Sequence, residues 1–253
     1  SHRIYDNELY HNAIYLFLHF QYNGWFSFGV LAIFLYVLNK KQVKIDERKV
    51  TRAFWLLFVA CVPAYMLSLL WMNPPAWVFW LGGVAGLIQL IALAVLAGIL
   101  RTILKIPDFF QKQYTRTLWI LSGISFGLKL VLQAFSAVPF LGQFAFGTRP
   151  IIIGYLHLVM LGFISFFLIG FFLEEKLFKP AIGISRPALF IFLVGVIANE
   201  VFLLIQGTSF LSGNGWASGG LFLLLAALLM FAGLSLLLYF QVRRQAGSAI
   251  PAG

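Results

Sequence analysis

The sequence predicts an all-helical membrane protein with seven transmembrane helices. Of its 253 residues, 61% are hydrophobic and only 10% are charged, whereas a soluble domain is about half apolar and a quarter charged. Apolar runs of about 20 residues recur along the chain, and this is the length that a helix needs to cross the hydrocarbon of a bilayer. The basic residues fall between these runs, as the loops of a membrane protein require.

Seven apolar segments are predicted to form the spanning helices of one bundle over residues 1–240, followed by a cytoplasmic tail over residues 241–253. Tryptophan and tyrosine lie near several segment ends, as they do at membrane–water interfaces. Residues 138–148, between the fourth and fifth segments, are predicted to form an apolar outer loop. The predicted spans are residues 12–38, 53–72, 77–100, 117–136, 150–173, 187–206 and 219–240.

The basic residues set the predicted orientation. Fifteen of the 18 lysines and arginines lie in the first, third and fifth loops and in the tail, whereas the other side has only Arg3 and Arg149. The positive-inside rule therefore places the N-terminus outside and the C-terminus in the cytoplasm. The net charge of +10 is explained by a membrane surface, so no nucleic-acid partner is expected. With Cys61 as the only cysteine, an internal disulfide and a cysteine-based zinc site are excluded.

Four ionisable side chains lie inside the predicted spans: His19, Lys129, His157 and Glu200. Each lies about seven residues, or roughly 10 Å, from the outer end of its helix. A common depth is what one shared site requires. Each histidine is either a hydrogen-bonded core residue or a ligand, and Lys129 and Glu200 form either a buried ion pair, hydrogen-bonding groups or a proton relay.

Further polar residues accompany this layer. His11 is predicted to be interfacial, although it shares one helical face with Tyr15, His19 and Tyr22. Four other side chains are predicted to be interhelical hydrogen bonders: Gln21, Asn23, Gln89 and Gln133. We find no repeat with a fixed period.

Two neutral imidazoles from different helices suit haem iron or copper better than magnesium or calcium. Small residues near each histidine would let a flat macrocycle or a neighbouring helix approach closely: Gly24, Gly29, Gly154 and Gly162. Arg149 could pair with a haem propionate or bind lipid headgroups. The chain lacks a Gly-rich phosphate loop, a Ser-His-Asp order, an HExxH motif and an EF-hand pattern.

The stretch YHNAIYLFLHFQYNGWF, from Tyr10 to Phe26, resembles a segment of an uncharacterised bacterial membrane family. That family is a distant relative of the catalytic subunit of haem-copper oxidases and nitric oxide reductases. Residues 155–162, the pair Asn199-Glu200, and Lys129 with Gln133 resemble the same family. The resemblance covers most of the chain, and it implies a protein of the bacterial inner membrane that matches the last seven of that subunit's twelve helices.

The resemblance also implies ligand roles. His19 matches the helix that carries a histidine for copper or a non-haem metal, and His157 matches a helix that supplies haem ligands. The span 53–72 lacks the histidine pair that completes the copper site, and the span 150–173 has one histidine where the relatives have two. A single haem with two histidine ligands is therefore expected rather than the complete haem-copper site of the relatives. Its second ligand would come from a missing N-terminal half or a companion membrane subunit, which fits a chain that begins without Met.

We therefore expect a membrane protein that binds haem b, with copper or another second metal as an additional candidate, in electron transfer or as a divergent oxidoreductase. The alternatives are a cofactor-free transporter or proton-conducting protein that uses Lys129 and Glu200, and a structural subunit of a larger complex. The expected partners are the lipid bilayer and a redox partner. The cofactor-binding candidates are His157, His19, Arg149 and Tyr155. The metal candidates are His19, His157 and His11, and the relay candidates are Lys129, Glu200, Gln133 and Tyr22.

Overall fold

The computed structural model describes residues 2–178, 185–211, 216 and 218–248. These residues form helices and their connections, without a strand, and seven helices among them are long and apolar enough to cross a membrane. The prediction of about seven membrane-spanning helices is thereby confirmed by length and composition, and the predicted orientation stays a prediction. In chain order these candidate spans and one short helix are α1 (Glu8–Lys40), α2 (Glu47–Met72), α3 (Ala76–Ile103), α4 (Gln113–Phe135), the short α5 (Pro139–Gly147), α6 (Arg149–Glu174), α7 (Arg186–Ser209) and α8 (Gly219–Val242). The helix that contains α1 itself begins at His2.

Helix α5 corrects one expectation. Residues 138–148 were predicted to form a loop, but nine of them are helical. Pro139 occupies the first position, where its missing N–H costs no hydrogen bond, and the Gly142 amide closes the first turn on the Val138 carbonyl at 2.9 Å. A segment this short is below the length that a hydropathy pattern resolves.

The chain divides into two compact units. Unit 1 comprises Ser1–Phe109 and Ile124–Gly147, and unit 2 comprises Phe110–Gly123 and Thr148–Gly253. Unit 1 therefore contains α1, α2, α3 and α5, unit 2 contains α6, α7 and α8, and α4 contributes a part to each. The prediction of a single bundle stays a prediction.

Small residues bring the helices of unit 1 together. Ala60, Ala64 and Ala85 form a buried contact between α2 and α3. A Cβ atom added to Gly86 would lie 2.9 Å from the Cα atom of Ala134. Close backbone approach through small residues is the usual way in which transmembrane helices pack.

In unit 2, glycines likewise allow α7 and α8 to approach closely. A Cβ atom added to Gly233 would lie 2.5 Å from the backbone nitrogen of Phe192, and one added to Gly195 would lie 2.8 Å from the backbone nitrogen of Met230. The surrounding core is aliphatic and aromatic, and Trp119 stacks on Phe167 at 5.1 Å.

Three spans depart from the α-helical hydrogen-bond pattern. Helix α1 contains a π-helical segment at Phe20–Phe26, and α6 contains another at Leu158–Ser165. Helix α2 changes to a 3₁₀-helix over Pro63–Met72. π-helices make up well under 1% of residues in proteins and are frequent at functional sites. The residues beside the two π-segments are therefore candidates for a functional site.

Candidate functional site

The side chain of His19, on α1, is 5% exposed and hydrogen-bonded at both ring nitrogens. Its Nε2 lies 2.8 Å from the Cys61 carbonyl oxygen. A carbonyl only accepts, so Nε2 carries the hydrogen and donates it. Nδ1 is then the acceptor, and it lies 3.2 Å from Asn23 Nδ2 and 3.4 Å from Ser68 Oγ. In this conformation the imidazole is neutral, and both nitrogens are occupied by protein groups.

A local change in helix geometry makes the Cys61 carbonyl available. In a continuous α-helix this oxygen would accept from the amide of Tyr65. Pro63 starts the 3₁₀ segment of α2, and the Tyr65 amide bonds to Val62 instead, at 3.1 Å. The freed carbonyl then serves as the acceptor for His19.

Lys129, on α4, is joined to the same group. Its side chain is 1% exposed, and its Nζ donates to Asn23 Oδ1. The ammonium group also lies 5.6 Å from the centre of the Phe126 ring, within cation–π range. Asn23 thus bridges Lys129 and His19, and we call these three residues the lysine cluster.

A small cavity adjoins the lysine cluster. Its polar lining consists of Asn23, Ser27, Gln89 and Lys129. Its volume of about 10 Å³ is about the room that one water molecule needs. Gln89 is 2% exposed, and its buried Oε1 has no hydrogen-bond donor among the described residues.

The second histidine belongs to a comparable group in unit 2. Asn199, on α7, is 4% exposed; its Nδ2 lies 2.8 Å from Nδ1 of His157 and 3.3 Å from Oε1 of Glu200. The two amide hydrogens therefore go to the imidazole and to the carboxylate. Nδ1 of His157 is an acceptor, so its Nε2 carries the ring hydrogen, and no described residue accepts it. We call these three residues the glutamate cluster.

The other candidates near His157 lie on the same helix, α6. Arg149 is exposed at the first residue of α6, about 12 Å along the axis from His157. Tyr155 is half-buried and lies two residues before His157, so its side chain leaves the helix on another side.

The other candidates of unit 1 lie on α1 and α4, the same helices as the residues of the lysine cluster. The half-buried His11 ring lies 5.6 Å from Trp71, and Tyr22 stacks on Phe26 at 6.2 Å. Gln133 is buried one helical turn beyond Lys129. Of the relay candidates, the structure thus brings Lys129 together with His19, and Glu200 together with His157. The predicted Lys129–Glu200 ion pair involves residues of different units and stays a prediction.

The two histidine segments are alike. Residues 19–28 read HFQYNGWFSF and residues 157–166 read HLVMLGFISF, so His, Gly, Ser and Phe occur at the same relative positions. A π-helix follows each histidine directly. In each case the serine hydroxyl donates to the carbonyl five residues earlier: Ser27 to Tyr22 at 2.6 Å and Ser165 to Met160 at 2.8 Å.

The likeness extends to the next span in each unit. The residue that hydrogen-bonds to the histidine lies 42 residues further along the chain in both cases, at Cys61 and at Asn199. Helices α1–α2 and α6–α7 thus share these features, although the contact to His19 is a backbone carbonyl at Nε2 and the contact to His157 is a side-chain amide at Nδ1. Only four of the ten aligned positions are identical, and the expectation of no repeat with a fixed period stays a prediction.

Among the residues that the structure describes, no three His, Cys, Asp or Glu side chains come together, and the predicted haem and metal sites stay predictions. Both ring nitrogens of His19 are hydrogen-bonded to protein groups, so haem iron or copper would have to displace one of them, and the cavity beside its cluster has room for one water molecule. His157 fits an axial ligand only if the Asn199 amide turns over, so that Oδ1 accepts from Nδ1–H and Nε2 gains the lone pair.

Comparison with known proteins adds no family. No protein-family model matches the chain, and no curated protein matches it. The resemblance to haem-copper oxidases stays a prediction.

Proposed function

We propose that the protein moves protons, or a substrate coupled to protons, across the membrane, with Lys129 as a proton-binding group. The observation that carries this proposal is the burial of Lys129 inside a spanning helix with Asn23 as its hydrogen-bond acceptor. Ionisable residues inside a membrane commonly serve ion or proton pathways, because their charge is costly there.

The surroundings of Lys129 support this proposal. The groups that its Nζ contacts in unit 1 are an amide oxygen and an aromatic ring, and neither is a carboxylate that would fix the charge as a structural ion pair. Glu200 in the glutamate cluster supplies an acidic group inside a second span. Each of the two ionisable groups hydrogen-bonds to an asparagine that also contacts a histidine.

The likeness of the two histidine segments supports the same class of protein. Many secondary transporters are built from structural repeats that leave only weak internal sequence similarity. Here each of the two similar segments contains a histidine followed by a π-segment. A purely architectural polar layer would not require the same backbone distortion beside each histidine.

Proton flux into liposomes tests the proposal. The purified chain is reconstituted with a trapped pH-sensitive dye, and a potassium gradient with valinomycin drives proton entry. We expect flux above that of protein-free liposomes, at least a tenfold loss for Lys129→Met, and a reduced flux for Glu200→Gln. Lys112→Met is the matched control, because Lys112 is exposed and outside the spans. Equal flux for wild type and Lys129→Met would refute the role of Lys129.

Haem binding at His157 is the second candidate, because its Nε2 contacts no described hydrogen-bond partner while Asn199 holds Nδ1. A metal-bound histidine donates its other ring N–H to such a partner, so this candidate requires the Asn199 amide oxygen to face Nδ1. His157 would hold the iron, Asn199 would orient the ring, and haem would supply one-electron chemistry. Purified protein from haem-replete cells should then show a Soret band that His157→Ala removes and His11→Ala retains. A wild-type spectrum without that band would rule this candidate out.

A further inference from the structure

We infer that the cavity beside Lys129 binds one water molecule, which accepts a hydrogen bond from the Lys129 ammonium group and donates one to Oε1 of Gln89. Under the proposed function, on which this second step rests, the water is the first group to exchange a proton with Lys129. Gln89 is then a positioning residue of the proton pathway.

The acceptor side of this site is Gln89. Gln89, on α3, lines the cavity, its side chain is 2% exposed, and its buried Oε1 has no donor among the described residues. A buried amide oxygen without a donor is costly. A bridging water that donates to it removes this cost.

The donor side is Lys129. An ammonium group has three hydrogens, and Asn23 Oδ1 accepts one of them. The Ser27 hydroxyl, which also lines the cavity, donates to the Tyr22 carbonyl, so its oxygen remains able to accept. The cavity therefore presents donors from Lys129 and acceptors from Gln89 and Ser27, and a ligand that both donates and accepts is required.

The volume of the cavity limits which ligand can bind. The volume of about 10 Å³ accommodates one water molecule and is too small for a multi-atom anion. Apart from Asn23, the rest of the lining is apolar and includes Phe28, Leu31 and Leu57. The polar contacts of the water therefore come from the four polar side chains. The water extends the lysine cluster from α1 and α4 to α3.

Two substitutions at Gln89 test the water site by thermal unfolding of the full chain in lipid nanodiscs. Gln89→Met keeps the side-chain length but removes the acceptor, and we expect a lower Tm because the water and Lys129 lose a partner. Gln89→Glu keeps an acceptor, and we expect the Tm to be retained or raised. Gln21→Met is the control, since Gln21 lies on α1 outside this cavity and its Tm should equal that of wild type.

The outcomes separate the water site from the proposed function. A higher Tm for Gln89→Met would mean that Oε1 was unsatisfied, and an equal fall for Gln89→Met and Gln89→Glu would mean that only packing matters; either result overturns the inference. A density map that resolves ordered waters must show a peak within hydrogen-bond distance of both Nζ and Oε1. If the Tm pattern holds but liposomes show no flux, the proton-transport proposal fails and the water site stands.

Discussion

The replacement Asn23→Leu is the most direct test of the lysine cluster. Leucine has a similar volume and fills the same space, but it cannot accept from Lys129 or donate to His19. The substitution therefore leaves a buried ammonium group without its amide acceptor and removes one donor from Nδ1 of His19.

The magnitude follows from the bonds that are lost. A hydrogen bond to a charged group contributes about 1.5–3 kcal/mol and a neutral one about 1 kcal/mol, although cycles in membrane proteins average only about 0.6 kcal/mol per bond. We expect Asn23→Leu to lower the free energy of unfolding by about 2–3 kcal/mol. The double variant Asn23→Leu with Lys129→Met should recover at least about 1 kcal/mol, because both partners are then apolar.

Equilibrium unfolding in mixed micelles with increasing dodecyl sulfate measures these differences. Asn39→Leu is a matched control, since Asn39 is an exposed asparagine at the end of the same helix, and its free energy of unfolding should stay close to that of wild type. If the effects of Asn23→Leu and Lys129→Met were simply additive, Asn23 and Lys129 would not interact, and the lysine cluster would lose its basis.

Two further predictions concern packing and the π-segments. Gly233→Ala should destabilise the protein by about 1–3 kcal/mol, because the new methyl group would overlap the Phe192 backbone. Gly98→Ala, where the added Cβ atom meets nothing within 4 Å, should be neutral or stabilising; thermal unfolding compares the two, and equal effects would contradict the close packing of α7 on α8. Ser27→Ala and Ser165→Ala should each cost about 1 kcal/mol, because each removes a donor to a carbonyl within a π-segment; unchanged unfolding midpoints would show that these hydroxyls do not support the segments.

The spanning helices could be predicted because each is a continuous stretch of apolar residues long enough to cross the bilayer. The seventh predicted span starts at the residue where α8 begins, whereas the first predicted span starts ten residues after His2, where the first helix begins. The π- and 3₁₀-segments could not be predicted in this way, since an apolar run looks the same whether its amides bond three, four or five residues back. Pro63 was the one local signal for the change in α2.

The candidate site was predictable in its members but not in its pairings. Depth along the helices selected His19, Lys129, His157 and Glu200, and these residues fall into the two clusters. The bridging role of Asn23 depends on how α1 and α4 are rotated about their axes, which composition does not encode. Asn199 was visible only as the neighbour of Glu200, although the repeated His–Gly–Ser–Phe spacing would have drawn attention to the span that follows His157.

Each π-segment accommodates one residue more than a regular helix of the same rise would. If Phe20–Phe26 formed ordinary α-helix without losing a residue, everything beyond them would turn by about 100° relative to the residues before them. The second half of α1 would then show α2 and α3 a different row of side chains, while His19 would keep its own orientation. The π-segment therefore sets the rotation of the second half of α1 about the helix axis relative to the first half. The side chains that each half packs against its neighbours are thus chosen separately.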